Sequence, residues 1–237
     1  MAFKCPIPAQ EEAVRYLTEA AYHCTGRIRV SGHSKGGNLA VYAAAKCGPA
    51  LQDEIVKVYS HDGPGFLAQV LESPDFARII PKVDKTLPRS SIVGMLLENQ
   101  EEYRIVKSGK LSFWQHNPFS WELEGNSFCL EDKLTVNARY LDRTLTDWVY
   151  QLSEEERERF VDALFGVLAT TDISTFGEMK NEWQRTVPAV VKAAAQLDGD
   201  TREFLFRVLK ELAATGIRNV PEMIRGEWET PRLPEKA

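Results

Sequence analysis

The sequence predicts an α/β fold with a mainly parallel sheet, followed by an all-helical C-terminal region. Two observations support this prediction. Short β-branched runs alternate with helical patterns as far as residue 134, which is typical of parallel sheets. From residue 135 onward the apolar residues follow helical spacing, and strand signals are absent. We therefore expect an α/β core over residues 1–134 and a helical region over residues 135–237.

The elements of the α/β core follow from periodicity and turn residues. A helix is expected over Pro8–His23, where apolar residues recur with helical spacing. A second, alanine-rich helix is expected over Gly37–Lys46, and a later helical run is expected to break near Pro74. The β-branched runs predict four strands, over Arg27–Ser31, Glu54–His61, Arg89–Asn99 and Glu102–Ser108.

The stretch Gly32-His33-Ser34-Lys35-Gly36 joins the first strand to the alanine-rich helix. This G-x-S-x-G pattern is typical of a nucleophile elbow, a strained turn that exposes the serine hydroxyl. A β-carbon at Gly32 or Gly36 is expected to collide with neighbouring chain. The turn also directs the backbone N–H of Lys35 toward a developing oxyanion. The pattern therefore predicts Ser34 as a nucleophile; the spacings of phosphate-binding glycine loops are missing.

A serine nucleophile needs a histidine base, and the chain has four histidines. His23 precedes the elbow strand, and His61 ends the second strand. His33 lies inside the elbow, where we expect it to point away from the reacting face. His116 lies in a polar loop flanked by aromatic residues after the last strand, which fits the order serine, acid, histidine. We therefore expect His116 to be the base.

Two carboxylates end predicted strands between the serine and the base. Glu98 ends the third strand, and the order of strands favours this residue as the acid. Asp62 ends the second strand, just before Gly63-Pro64-Gly65. A short side chain and a tight turn that would fix it favour Asp62. The sequence leaves both candidates open.

These residues resemble an α/β-hydrolase, and more closely an uncharacterised bacterial family, domain of unknown function 2974, which is related to class-three lipases. The matching stretches are PIPAQEEAVRYL, GRIRVSGHSKGGNLAVYAAA, VYSHDGPGF, SSIVGMLLE and QHNPFSWE. The resemblance implies a serine hydrolase fold with Ser34 as nucleophile and His116 as base. Hydrolases of this fold place several strands before the elbow, whereas one helix precedes it here. We therefore expect a truncated sheet, with the missing strands and a second oxyanion donor encoded upstream of Met1.

The expected function is cleavage of an acyl ester by an esterase- or lipase-like serine hydrolase that needs no cofactor or metal. Four aromatic residues near the base are available to line an acyl pocket, namely Phe113, Trp114, Phe119 and Trp121. The alternative is a catalytically weak or inactive hydrolase-like binding module, because the front of the fold is expected to be missing. Labelling of Ser34 by a fluorophosphonate would distinguish the two functions.

Charge and hydropathy exclude several other classes of partner. The formal net charge of −5 argues against a nucleic-acid binder. No apolar run approaches the roughly 20 residues of a membrane helix, and the first residues lack a leader-like apolar core, so we expect a cytoplasmic protein. The four cysteines lack metal-ligand spacing and are expected to be reduced. An unprotected sheet edge predicts self-association.

Overall fold

The computed structural model describes residues 5–97, 102–169, 192 and 195–225. It has a mostly parallel central sheet, helices around it and a helical C-terminal region. The helices are α1 (Pro8–Tyr22), α2 (Lys35–Lys46), α3 (Pro49–Glu54), α4 (Ala68–Leu71), α5 (Pro74–Ile79), α6 (Val136–Gln151), α7 (Glu154–Ala169) and α8 (Gly199–Arg225). The strands are β1 (Ile28–His33), β2 (Ile55–His61), β3 (Val83–Pro88), β4 (Tyr103–Val106), β5 (Leu123–Glu124), β6 (Ser127–Phe128) and β7 (Leu130–Glu131).

The chain divides into two compact units. One comprises Met1–Thr146 with Asn219–Ala237, and the other comprises Asp147–Arg218. The expected boundary after residue 134 lies just before α6, and the two units share the residues of this helix. The first unit contains the sheet and every candidate site residue that the structure describes.

The central sheet runs in the order β1-β2-β3-β4-β7. The first four strands are parallel, and β7 pairs with β4 in the antiparallel direction. Neighbouring parallel strands need a crossover connection, which α2 and α3 supply after β1, and α4 and α5 after β2. Because these strands are parallel, their carboxyl ends meet at one edge of the sheet, and the loops that follow them lie together.

Helix α2 packs against β1 and β2 through small side chains. Ala43, Ala44 and Ala45 are almost completely buried in the core beneath it. Since alanine adds little bulk, the helix axis can approach the sheet closely, which fixes the elbow at its N-terminus. Tyr42 and Phe76 extend the same core through an edge-to-face contact with ring centroids 6.3 Å apart.

A buried polar contact joins α1 to α2 and to the turn after β2. The side-chain amide of Gln10 donates to Oδ1 of Asn38 at 2.9 Å, and neither residue is exposed. Asn38 in turn donates to the backbone carbonyls of Pro64 and Gly65, each at 3.1 Å. Because buried amides need such partners, these bonds fix the helix that carries the elbow relative to the turn that follows β2.

The predicted third strand, Arg89–Asn99, is wrong over the residues that the structure describes. Residues 89–97 form turns, and the third strand is instead Val83–Pro88. The polar residues Lys85 and Thr86 are buried in this strand. Its sequence, VDKTLP, therefore lacks the alternation of apolar and polar residues by which a strand is recognised. The apolar run that suggested a strand packs partly inward through Met95 instead.

The other elements of the core agree with the sequence to within a few residues. β1 extends past Ser31 to His33, α2 begins at Lys35, and β4 covers Tyr103–Val106. The predicted break near Pro74 separates α4 from α5. The short strands β5, β6 and β7 were not expected; two-residue strands carry too little pattern to be recognised.

Strand β1 lies at the end of the sheet order, with β2 as its neighbour among the described residues. Its edge exposes Arg29 and Ser31. Charged residues on such an edge discourage pairing with another chain, although the free backbone groups favour it. The expected self-association through this edge stays a prediction that size-exclusion chromatography with light scattering can test.

The unit Asp147–Arg218 is helical in its described residues. Trp148 contacts the edge of Phe160 with ring centroids 5.2 Å apart, and its indole N–H donates to the carbonyl of Val208 at 3.0 Å. Ser153 and Glu156 form a capping box at the start of α7, since each side chain accepts from the other residue's backbone N–H. None of the helices in the described ranges is long and apolar enough to span a membrane.

Candidate active site

Ser34 lies at the sharp turn between β1 and α2. Its φ of 57° and ψ of −126° place a non-glycine residue in a strained backbone conformation. The backbone N–H of Ser34 donates to the carbonyl of His61 at 2.9 Å, which ties the turn to the end of β2. Ser34 as a whole residue is half-buried.

Gly32 is required by the geometry of this turn, whereas Gly36 is not. A β-carbon at Gly32 would lie 2.1 Å from the carbonyl carbon and oxygen of Gly36, which is a severe clash with backbone. A β-carbon at Gly36 would meet nothing within 4 Å in the part of the chain that the structure describes, so the expected collision there is wrong. The first glycine therefore permits the turn by making room for the helix.

The imidazole of His116 lies between the serine and a carboxylate. Its Nε2 is 2.9 Å from Oγ of Ser34, and its Nδ1 is 2.7 Å from Oδ2 of Asp62. A carboxylate can only accept, so Nδ1 carries the proton and Nε2 presents its lone pair to the serine hydroxyl. The serine hydroxyl can therefore donate to a histidine in the tautomer that accepts its proton.

Asp62 follows the last residue of β2 and is completely buried. Its φ of 49° turns the chain sharply, and its backbone N–H donates to the carbonyl of Thr86 on β3 at 2.8 Å. Asp tolerates this left-handed conformation better than most residues. The turn points the side chain at His116 and holds it there.

Ser91 and Gly94 hold the second oxygen of the Asp62 carboxylate. The Ser91 hydroxyl donates to Oδ1 at 2.5 Å, and the backbone N–H of Gly94 donates to the same oxygen at 3.1 Å. With His116 on Oδ2, the buried carboxylate accepts three hydrogen bonds, which offset the cost of removing a charge from water. Position 94 must be glycine because a β-carbon would lie 2.3 Å from Oδ1.

Of the two candidate acids, the structure brings Asp62 into contact with His116. Glu98 lies outside the described residues. The segment that was expected to carry Glu98 on a strand supplies, through Ser91 and Gly94, the donors that orient Asp62. Sequence reasoning missed both residues because it assigned them to a strand; the close spacing of serine and glycine was the available turn signal.

Backbone carbonyls of the His116 loop accept hydrogen bonds from buried side chains. The indole N–H of Trp121 donates to the carbonyl of Gln115 at 2.7 Å. The Gln115 side chain accepts from the backbone N–H of Ser90 at 2.9 Å and donates to the carbonyl of Lys110 at 2.8 Å. These bonds fix the loop that contains His116 to the turn beside Asp62.

The aromatic residues near His116 differ in their exposure to solvent. Trp121 is buried, and its indole N–H supports the loop through the carbonyl of Gln115. Trp114 and Phe119 are exposed, and Phe119 is almost fully accessible to solvent. The side chain of Phe113 lies outside the described set.

The ring of His33 contacts the His116 loop, which corrects the expectation that it points away from the site. Its Nε2 is 2.7 Å from the backbone carbonyl oxygen of His116, and the two ring centroids are 4.7 Å apart. Burial lowers the pKa of His33, although the hydrogen bond to the His116 carbonyl opposes this shift. The His33 ring therefore tends to stay neutral beside the ring of His116.

His61 ends β2 inside a cluster of aromatic rings. Its ring lies 6.0 Å from Trp121 and 6.3 Å from Phe128 between centroids. Nδ1 of His61 is buried and has no hydrogen-bond partner among the described residues. Burial lowers the pKa of His61, so this histidine also tends to remain uncharged. His23 closes α1 and contacts Tyr22.

The backbone N–H of Lys35 opens α2 directly after the serine. The first N–H groups of a helix have no carbonyl acceptor within that helix and favour negative charge. This position suits an oxyanion that forms next to Oγ of Ser34. Within the described ranges, no group of three or more His, Cys, Asp or Glu side chains is placed to hold a metal ion.

The sequence of this chain matches the model of one known protein family. The model of the Mbeg1-like family matches residues 1–166. The chain belongs to the Mbeg1-like family. Neither the comparison with curated proteins nor that with solved structures gives a match. In this Mbeg1-like chain, the matched range contains Ser34, Asp62 and His116 together with the loops that hold them.

Proposed function

We propose that this chain is a serine hydrolase that cleaves an acyl ester, with Ser34 as nucleophile, His116 as base and Asp62 as the orienting acid. The observation that carries the proposal is the continuous hydrogen-bond chain through the imidazole, 2.9 Å to Ser34 on one side and 2.7 Å to Asp62 on the other. A nucleophile, a base and an orienting group within such reach are the signature of activated serine. The strained backbone of Ser34 supports the same role.

The mechanism follows from the positions of the protons. Oγ of Ser34 attacks the ester carbonyl carbon while Nε2 of His116 takes the hydroxyl proton. Asp62 stabilises the resulting imidazolium through Nδ1–H. The tetrahedral intermediate places its oxyanion near the backbone N–H of Lys35.

Collapse of that intermediate breaks the bond to the alcohol, which leaves with the proton from His116. Water then attacks the acyl-serine, with His116 again taking a proton. Breakdown of the second intermediate releases the carboxylic acid and returns the proton to Oγ of Ser34. The sum of the steps is ester plus water to acid plus alcohol.

We also propose the α/β-hydrolase fold for the first unit. The support is the order in which parallel strands contribute to the site, with a nucleophile elbow after β1, an acid after β2 and the base in the loop that follows β4. The resemblance to domain of unknown function 2974 and to class-three lipases is part of this proposal.

The test is covalent labelling combined with ester hydrolysis. We expect a fluorophosphonate to label the parent protein on Ser34, and Ser34→Ala to lose both labelling and hydrolysis of p-nitrophenyl acetate. Loss of a triad nucleophile costs about 10⁴–10⁶ in turnover. Ser31→Ala, at an exposed serine on the same strand, is the matched control and should behave like the parent. A folded parent that neither labels nor hydrolyses would favour the binding-module alternative.

A further inference from the structure

His33 adjoins the nucleophile in sequence but belongs to neither the serine–histidine nor the histidine–aspartate contact. Its Nε2 lies 2.7 Å from the backbone carbonyl oxygen of His116. Because a carbonyl oxygen can only accept, the proton resides on Nε2 of His33 and the bond runs from its ring to the backbone of the base. The contact links residues 83 positions apart in the chain.

The His33 side of this contact is held in place by the central sheet. His33 is the last residue of β1 and pairs in register with His61 of β2. The next residue, Ser34, donates its backbone N–H to the carbonyl of that same His61 at 2.9 Å. His33, which donates to the His116 loop, and Ser34 are therefore both held at the end of β1.

The base lies on a loop rather than on a strand. His116 ends a short 3-10 turn, and the neighbouring carbonyl of Gln115 is held by Trp121 at 2.7 Å. The hydrogen bond from His33 holds the carbonyl of the next residue, His116. Two consecutive carbonyls held by side-chain N–H groups leave the peptide between them little freedom to rotate.

From this arrangement we propose that His33 is a positioning residue, whose Nε2–H fixes the backbone of His116 so that the imidazole of the base stays in reach of Ser34. The proposal rests on the proposed function for its kinetic consequence, although its geometric content stands alone. Burial favours the neutral form of His33, which adds no second positive charge 4.7 Å from the base ring when that ring takes a proton.

The kinetic test compares two substitutions of His33. His33→Phe keeps a planar ring but removes the N–H, and His33→Gln keeps a side-chain N–H donor of similar reach. On p-nitrophenyl acetate we expect His33→Phe to lower kcat about tenfold with KM within about twofold, the loss expected of one hydrogen bond that positions a catalytic group. We expect His33→Gln to restore kcat to within about threefold of the parent. Urea unfolding of each variant separates this effect from a change in stability.

A second readout does not depend on activity. The Nδ1–H proton of His116, bonded to Asp62, can be followed by NMR in protein with ¹⁵N-labelled histidine, using the Ser34→Ala background. We expect this signal to broaden or vanish in His33→Phe and to return in His33→Gln. A merely structural role would instead leave the signal unchanged in every folded variant.

The outcomes separate the two proposals. An inactive parent whose His116 signal responds as expected would overturn the hydrolase function and keep the positioning role. An active parent with unchanged kcat in His33→Phe would overturn the positioning role and keep the function. The positioning role would also be overturned if His33→Gln, in protein as stable as the parent, recovered neither kcat nor the His116 signal.

Discussion

Replacing Asp62 with asparagine would invert the tautomer of the base. Oδ1 of Asp62 accepts from the Ser91 hydroxyl and the Gly94 amide, so the oxygen of an asparagine must take that side. The asparagine NH₂ would then face Nδ1 of His116, which would have to accept. The proton would move to Nε2, and the base would present N–H instead of a lone pair to Ser34.

The size of the loss follows from this tautomer. Asp62→Asn preserves the shape of the side chain and both hydrogen bonds to its oxygen, and it reverses the direction of the third, so that the base can no longer accept the serine proton. Losing the acid in this way costs about 10⁴ in turnover in serine hydrolases. Loss of the carboxylate charge weakens these hydrogen bonds, so we also expect the free energy of unfolding to fall by about 1–3 kcal/mol. We therefore expect a folded protein with almost no activity.

The assay is hydrolysis of p-nitrophenyl acetate at pH 8, with urea unfolding measured on the same preparations. Glu98→Gln is the matched control, because the strand order in the sequence had favoured Glu98 as the acid. We expect Glu98→Gln to retain the parental kcat/KM. A folded Asp62→Asn variant with parental turnover, beside an inactive but folded Glu98→Gln variant, would refute our assignment of the acid.

Three further predictions concern the surroundings of the triad. Gly32→Ala should lower the free energy of unfolding by about 3 kcal/mol or more, because its β-carbon would lie 2.1 Å from the backbone of Gly36. Gly36→Ala is the control and should be tolerated, because its β-carbon would lie in open space. Urea unfolding of the two variants tests this difference. Ser91→Ala should lower kcat/KM about tenfold on the same ester, since one charged hydrogen bond to the acid is lost. His61→Phe should reduce the acid sensitivity of folding, which unfolding from pH 8 to pH 5 can measure. The pKa of His61 is lowered in the folded state, so the unfolded chain binds more protons and the parent loses stability as pH falls below about 6.5.

The strained turn at Ser34 could be predicted from the sequence because its signal is local. A strand, five residues with two glycines and an alanine-rich helix are contiguous, and the strained φ of Ser34 follows from that junction. The capping box at Ser153 and the break at Pro74 are local in the same sense. Each depends on residues within a few positions of one another, so no knowledge of the sheet is needed.

The third strand could not be predicted because its burial depends on distant neighbours. Lys85 and Thr86 lie almost fully buried between β2 and β4, so neither hydrophobic alternation nor an apolar run marks the strand. The apolar run after Pro88 was a stronger signal in the sequence, yet the structure uses it as a turn. The contact between His33 and the His116 loop could not be predicted either, because the two residues are 83 positions apart in the chain.

The misplaced strand also explains why strand counting favoured Glu98 as the acid, whereas the structure places Asp62 in contact with His116. Because β3 is Val83–Pro88, residues 89–97 form a turn after it, and Ser91 and Gly94 in this turn donate hydrogen bonds to Asp62 at the end of β2. The carboxyl ends of four consecutive parallel strands then contribute in sequence: Ser34 follows β1, Asp62 follows β2, the donors to Asp62 follow β3, and His116 lies in the loop beyond β4. Each group is oriented by a donor or acceptor from a neighbouring strand end, so the geometry of the site depends on the register of the sheet. A change that shifts β3 against β2 should therefore disturb the acid before it disturbs the nucleophile.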